Sequence, residues 1–179
     1  MDIVGALFGL LFTAIVYIPV AIAIKVDSPG PVIFSHKRVG KNSRYFMCYK
    51  FRTMYLNSGG QGKKPDLNDE RVTRVGRFLR NSSLDELPQF FNVLIGEMRL
   101  VGPRPIVEEE IHYYGNDFKL YASVPPGLTG LWQVSGRNNI LYPERVWLDA
   151  YYVRNWSIWL DLYILLKTPW VVLKQEGVY

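Results

Sequence analysis

An uncharged apolar run leads the chain, and the hydrophobic spacing shortens after it. Ile3 to Ile24 carries no charged residue and as a helix would span ~33 Å, about the hydrocarbon thickness of a bilayer. Asp27-Ser28-Pro29-Gly30-Pro31 ends it as a turn cluster. Val32 to Phe34 and Tyr45 to Met54 read as short strands of a small antiparallel sheet. The alternation puts Lys50 and Arg52 on one face of the second strand. Asn57 to Glu70, with Gly59, Gly60, Gly62 and Pro65, reads as a loop, and Val72 to Arg80 as a basic amphipathic segment.

Phe90, Phe91, Val93, Leu94 and Ile95 predict an apolar helix closed by Gly96. Another helix is expected over Val107 to Tyr114, with Glu108, Glu109 and Glu110 at its start. Glycine and proline mark Val124 to Asn139 as loop, with Trp132 as a packing anchor. Tyr142 to Asn155 reads as a helix with Asp149 and Tyr152 three apart on one face. Trp156 to Lys174 reads as an aromatic helix interrupted at Pro169. The expected class is α+β and mostly helical. A membrane-inserted segment over 1–26 would precede a cytoplasmic catalytic domain over 27–179, with interfacial amphipathic helices at its end.

Composition sharpens this picture. Of 179 residues, 49% are hydrophobic and 15% aromatic, enough to imply apolar surface that is not all internal. Four of the five tryptophans fall between Trp147 and Trp170, which favours an interfacial platform over an ordinary core helix. Lys25, Lys37, Arg38, Lys41 and Arg44 follow the leader, so the positive-inside rule puts the remainder in the cytoplasm. Asp2 stands where a signal peptide would be basic. A straight span would leave only Met1 and Asp2 outside, whereas a helix broken at Pro19 could enter and leave on one face. The single cysteine, Cys48, excludes an internal disulfide. A net charge of +5 and the apolar leader together favour phosphate and lipid partners over nucleic acid.

The chemistry concentrates in Arg80 to Pro105. Ser83-Leu84-Asp85-Glu86 reads as a capping box with Ser83 as N-cap, although Pro88 complicates it. Either way Asp85 and Glu86 lie at or just before a helix N-terminus, which favours negative charge. Neighbouring helical residues point ~100° apart, so such a pair suits divided labour. Arg80 and Arg104 bracket it, Arg104 within Gly-Pro-Arg-Pro, and Arg137 follows Gly136 in a tight turn. There is no Gly-x-Ser-x-Gly elbow and no His-Glu-x-x-His, and the two histidines, His36 and His112, are far apart. Gly40-Lys41 lacks the rest of a phosphate loop. Arginines, carboxylates and a helix start suit phosphate, with a hard cation such as Mg²⁺ bridging Asp85 and a diphosphate.

SLDELPQFFNVLIGEMRLVGPRP closely resembles the core motif of the bacterial sugar transferases, the monotopic phosphoglycosyl transferases. DIVGALFGLL, YKFRTM, PGLTGLWQVSGRNN and LDAYYVRNWSIWLDLYILLKT resemble further segments of that family, in order along nearly the whole chain. The resemblance implies a re-entrant leader at the cytoplasmic face of a bacterial inner membrane. Where the family carries a Ser-Pro break this chain has Ala14 and Ile15, with Pro19 about one turn later. It also implies transfer of a hexose 1-phosphate, galactose or glucose, from a UDP-sugar to undecaprenyl phosphate, with release of UMP. Asp85 would be the nucleophile and Glu86 the group that positions or deprotonates the acceptor. Arg80, Arg104 and Arg137 would neutralise phosphoryl charge, Lys50 would line an electropositive floor, and Asp149 and Tyr152 become site candidates. A non-catalytic lipid-binding scaffold and a donor hydrolase are the rival readings. Homodimerisation through the aromatic C-terminal helices stays open.

Overall fold

The computed structural model describes residues 1–56, 69–136 and 140–174. It is mostly helical, with an apolar N-terminal helix and a two-stranded antiparallel sheet. The first helix, α1 (Asp2–Asp27), runs through Pro19 as one element rather than dividing there. Its ends are tied to the same folded body. The Leu100 amide donates to Asp2 Oδ1 at 3.1 Å, and the Val75 amide to Asp27 Oδ2 at 2.9 Å. Between these ties the helix lies along the domain through small residues. Ala6 is fully buried, a Cβ at Gly5 would meet Leu100 at 2.5 Å, and one at Gly9 would meet Phe90 at 2.4 Å. The other face is bare: Ile3, Leu7, Phe8, Leu11, Ile15, Ile18 and Ile22 are exposed, Phe8 to 71%.

Strands β1 (Ile33–Val39) and β2 (Tyr45–Phe51) pair antiparallel, with Phe34 opposite Lys50 and Arg38 opposite Phe46. β1 runs past the expected Phe34 because Ser35 to Arg38, polar in sequence, still finds a ladder partner in β2. Arg52 lies beyond the strand end and turns away from Lys50, donating to the Ser28 and Pro29 carbonyls at 2.7 and 2.6 Å. It anchors the chain leaving α1 and is buried there.

Helix α2 (Arg74–Asn81) is capped by Thr73, whose Oγ1 accepts from the Gly76 amide at 2.9 Å. The expected capping box does not form. Ser83 is left-handed, with φ 55° and ψ 15°, makes no side-chain cap, and opens a 3₁₀ turn over Leu84–Glu86. Pro88 has no N–H to give the ladder, so α3 (Gln89–Leu94) starts after it and the carboxylate pair stays on the preceding turn. The buried Asn92 joins α3 to β2: its Oδ1 accepts from the Tyr49 amide at 3.1 Å, and its Nδ2 donates to the Met47 carbonyl at 2.8 Å and to Glu97 at 2.7 Å.

A second pair of strands, β3 (Arg99–Val101) and β4 (Gly127–Thr129), runs parallel. β4 and α6 (Leu131–Ser135) occupy the stretch expected to be loop. Its glycines serve close backbone approach, since a Cβ on Gly127 would sit 2.1 Å from the Gly102 amide nitrogen. Between the strands lie a 3₁₀ turn at Glu108–Glu110, α4 (Ile111–Tyr114) and α5 (Phe118–Tyr121). α7 (Tyr142–Arg154) and α8 (Ile158–Lys174) follow, α8 helical through Pro169. Ile164 and Val171 of α8 are buried, whereas Trp159, Leu166, Trp170 and Leu173 face outward. The main core joins Phe46, Cys48, Val93, Met98, Leu100, Val134, Tyr152 and Ile164, and so carries the site elements on one body.

Candidate active site

The 3₁₀ turn presents Asp85 and Glu86 to the end of β2. Lys50 Nζ donates to Glu86 Oε1 at 2.6 Å and lies 4.0 Å from Asp85 Oδ2. Asp85 is buried, its side chain 12% exposed. Burial pushes its pKa up to about 6, with Glu86 adding to the rise and the charges of Lys50, Arg80 and Arg104 opposing it. Helix α2 brings Arg80 to the same carboxylate, its Nε donating to Thr53 Oγ1 at 2.9 Å. Burial lowers the Arg80 pKa, and the charge of Asp85 opposes that.

Beside this group lies a small open cleft lined by Arg38, Cys48, Lys50, Glu86, Gln89, Arg104, Pro105, Leu128 and Gln133. Asp85 does not line it but neighbours two side chains that do, Glu86 beside it in sequence and Lys50 at 4.0 Å. Arg104 is placed by its loop: the Val39 amide donates to the Ile106 carbonyl at 2.9 Å, and Tyr121 Oη lies 3.1 Å from the Arg104 carbonyl. The Arg104 guanidinium stands 5.6 Å from the Trp132 ring, which also carries Arg145 at 4.0 Å. Arg38 donates to the Pro105 carbonyl at 3.3 Å and sits 3.9 Å from Glu110. Lys50, Arg38 and Arg104 thus converge on one opening.

Of the residues singled out in the sequence, Asp85, Glu86, Lys50, Arg80 and Arg104 come together. Asp149 is buried, accepts from Tyr114 Oη at 2.7 Å, and has its pKa raised to about 7 by burial. Tyr152 goes to the core instead, its Oη 2.7 Å from Asp161 Oδ1. The two share a helix and no partner. Arg137 and most of the Asn57 to Glu70 loop lie outside the described residues. Arg38, Gln89, Gln133 and Arg145 were not singled out. The strand alternation that set the face of Lys50 extends to Cys48, two residues earlier, and is the trace of this lining that the sequence holds.

Asp85 and Glu86 offer hard oxygen donors of the kind Mg²⁺ prefers. No cluster of three acidic, cysteine or histidine side chains occurs among the described residues. With Glu86 held by Lys50 at 2.6 Å, Asp85 is the side chain that would hold such a cation, the rest of its shell coming from substrate oxygens.

The sequence profile described as bacterial sugar transferase matches residues 1–175. An undecaprenyl-phosphate galactose phosphotransferase of Salmonella typhimurium is 50% identical over 166 residues, covering 84% of this chain and 35% of that protein. An undecaprenyl-phosphate glucose phosphotransferase of Komagataeibacter xylinus is 42% identical over 180 residues, 93% of this chain and 34% of its own length. The exopolysaccharide production protein ExoY of Rhizobium meliloti is 41% identical over 195 residues, covering 99% of this chain and 86% of that protein. The chain therefore spans about a third of the first two relatives and most of the third. With a match along nearly its full length and a carboxylate pair set among cations, the chain belongs to the bacterial sugar transferase family.

Proposed function

We propose that this chain transfers a sugar 1-phosphate, galactose or glucose, from a UDP-sugar to undecaprenyl phosphate, as the first membrane step of a surface polysaccharide pathway. The observation that carries the reading is the buried Asp85, beside the Lys50–Glu86 pair, at a cleft edged by Arg38 and Arg104. The names of the relatives support the lipid acceptor and the two sugars.

An Asp85 oxygen attacks the sugar-bearing phosphorus, the bond from that phosphorus to the bridging oxygen breaks, and UMP leaves with the electron pair. A phosphosugar aspartyl ester remains. An oxygen of undecaprenyl phosphate then attacks the same phosphorus, and the bond to Asp85 breaks to restore the carboxylate. Glu86, held by Lys50, positions the acceptor phosphate and takes its proton where it carries one. Lys50, Arg38 and Arg104 neutralise charge spread over phosphoryl oxygens, and the charge of Arg80 favours the Asp85 carboxylate. Mg²⁺ held by Asp85 and substrate oxygens would supply further neutralisation of the diphosphate.

The acceptor is confined to lipid, and α1 suits that setting, with a mean hydropathy of 2.5 in its most apolar stretch and a bare outer face. Both of its ends hydrogen-bond one body, which favours a helix seated along the cytoplasmic face over a straight span, while its continuity through Pro19 gives no support to a bend there. The outward aromatic face of α8 suits the interface. An N-terminal tag reached only from outside intact cells would rule the re-entrant geometry out.

Purified chain given UDP-galactose or UDP-glucose, Mg²⁺ and undecaprenyl phosphate should release UMP and form lipid-linked sugar diphosphate. Free sugar phosphate without lipid product would instead establish a hydrolase, and no UMP with any donor would leave a non-catalytic scaffold.

A further inference from the structure

Two neutral amides stand among the charges of the cleft, and the reaction as proposed uses neither. Gln89, on α3, is 2% exposed, and its Nε2 has no hydrogen-bond partner. Gln133, on α6, presents a buried Oε1 that also has none. Both line the cleft with Lys50, Glu86, Arg38 and Arg104. One orphan is a donor and the other an acceptor, yet they do not bond each other. Folded proteins seldom leave buried polar atoms unpaired without a functional reason.

Phosphate alone answers only half of this arrangement. A phosphoryl oxygen can accept from Gln89 Nε2, but it satisfies Gln133 only if that amide turns end for end. A hydroxyl both donates and accepts, and a hexose ring carries several of them beside its phosphate.

We propose that Gln89 and Gln133 form a sugar subsite in the cleft, Gln133 Oε1 accepting from one hydroxyl of the transferred hexose and Gln89 Nε2 donating to another. The proposal rests on the transferase reading and assigns the reading of the sugar to two side chains. A site that hydrogen-bonds a hydroxyl rejects the analogue lacking it far more strongly than a size filter does. The amides therefore select among hexoses by hydroxyl pattern, while the cationic groups bind every donor's phosphates alike.

The test uses the full chain in detergent micelles, undecaprenyl phosphate, and UDP-hexoses each lacking one hydroxyl. For the native protein, at least one deoxy donor should lose about tenfold or more in kcat/KM. Gln133→Met should lose a similar factor with the complete sugar and show little further loss with that same deoxy donor. Gln89→Met should do so at a different hydroxyl. Inhibition by UDP, which carries no sugar, should stay within about twofold of native in both variants, a result that a general distortion of the cleft would not give. Asn at either position withdraws the amide by one methylene and should show the same coupling, which keeps the measurement open if a Met variant does not fold. Deoxy penalties unchanged by every variant, or UDP inhibition weakened in step with kcat/KM, would overturn the sugar subsite. Native protein that releases no UMP from any donor overturns the transferase reading instead.

Discussion

Lys50 Nζ bonds Glu86 Oε1 at 2.6 Å and stops 4.0 Å short of Asp85 Oδ2, so one ammonium serves two carboxylates unequally. Asp85 keeps an oxygen free of a tight ion pair, and burial holds its pKa near 6. Above that pH the side chain is an anion with an available lone pair, as a nucleophile requires.

That inequality predicts a pH profile. Labelling of the enzyme by donor sugar should fall as pH drops through about 6, because protonated Asp85 cannot attack. Lys50 is the strongest influence pulling this pKa down. In Lys50→Met the acid limb should move to higher pH, and the plateau rate should fall about tenfold or more with the loss of phosphoryl neutralisation. Single-turnover labelling from pH 5 to 9 tests both; an unmoved limb would contradict the assignment of that limb to Asp85.

Asp85→Asn should abolish turnover and covalent labelling, whereas Glu86→Gln should still label and release one equivalent of UMP but fail to pass the sugar phosphate to lipid. Full turnover by Asp85→Asn would refute the nucleophile. Quench experiments with donor alone, then with undecaprenyl phosphate added, separate the half-reactions.

Asp149 carries a different pH signature. Its folded pKa, about 7, lies above the usual 3.8 because it is buried, with Tyr114 Oη and the charges of Arg145 and Arg104 opposing the rise. A raised pKa means the folded state holds the proton longer than the unfolded chain does, so stability is full below about pH 4 and declines as pH rises towards 7. Asp149→Asn should flatten the part of the Tm–pH slope in that window that Asp85 does not supply. An unchanged slope would show that Asp149 does not titrate there.

Gly127→Ala should cost about 1–3 kcal/mol or more, since the added methyl meets the Gly102 backbone at 2.1 Å and no side chain can yield. For a domain of this size each kcal/mol lowers Tm by about 2–4 °C. Activity should fall further than Tm suggests, because β4 carries Leu128 into the cleft and packs on the strand that leads to Arg104.

Periodicity and end signals made most of the helices legible, along with the β1–β2 ribbon and the group around Asp85. The second sheet was hidden because Gly102 and Gly127 are small for close strand approach, and small residues in sequence look like loop. Ser83 misled for a related reason: the capping-box letters are present, but Pro88 two residues past Glu86 delays the helix and leaves Glu86 to Lys50. Asn92 gave no sign that two hydrogen bonds would lock α3 to β2 and so set Lys50 against the carboxylates. Asp149 and Tyr152 share a helical face in projection, yet tertiary packing gives them separate partners.

Gly9 rests on Phe90, and Phe90 is the next residue after Gln89. The leading helix and the floor of the cleft therefore meet at a joint with no slack, two backbone rods touching through a bare Cα and a ring. Any tilt imposed on that helix from outside is delivered as a displacement at the cleft, so the depth at which this chain rides in its surroundings and the shape it offers a substrate are a single mechanical variable.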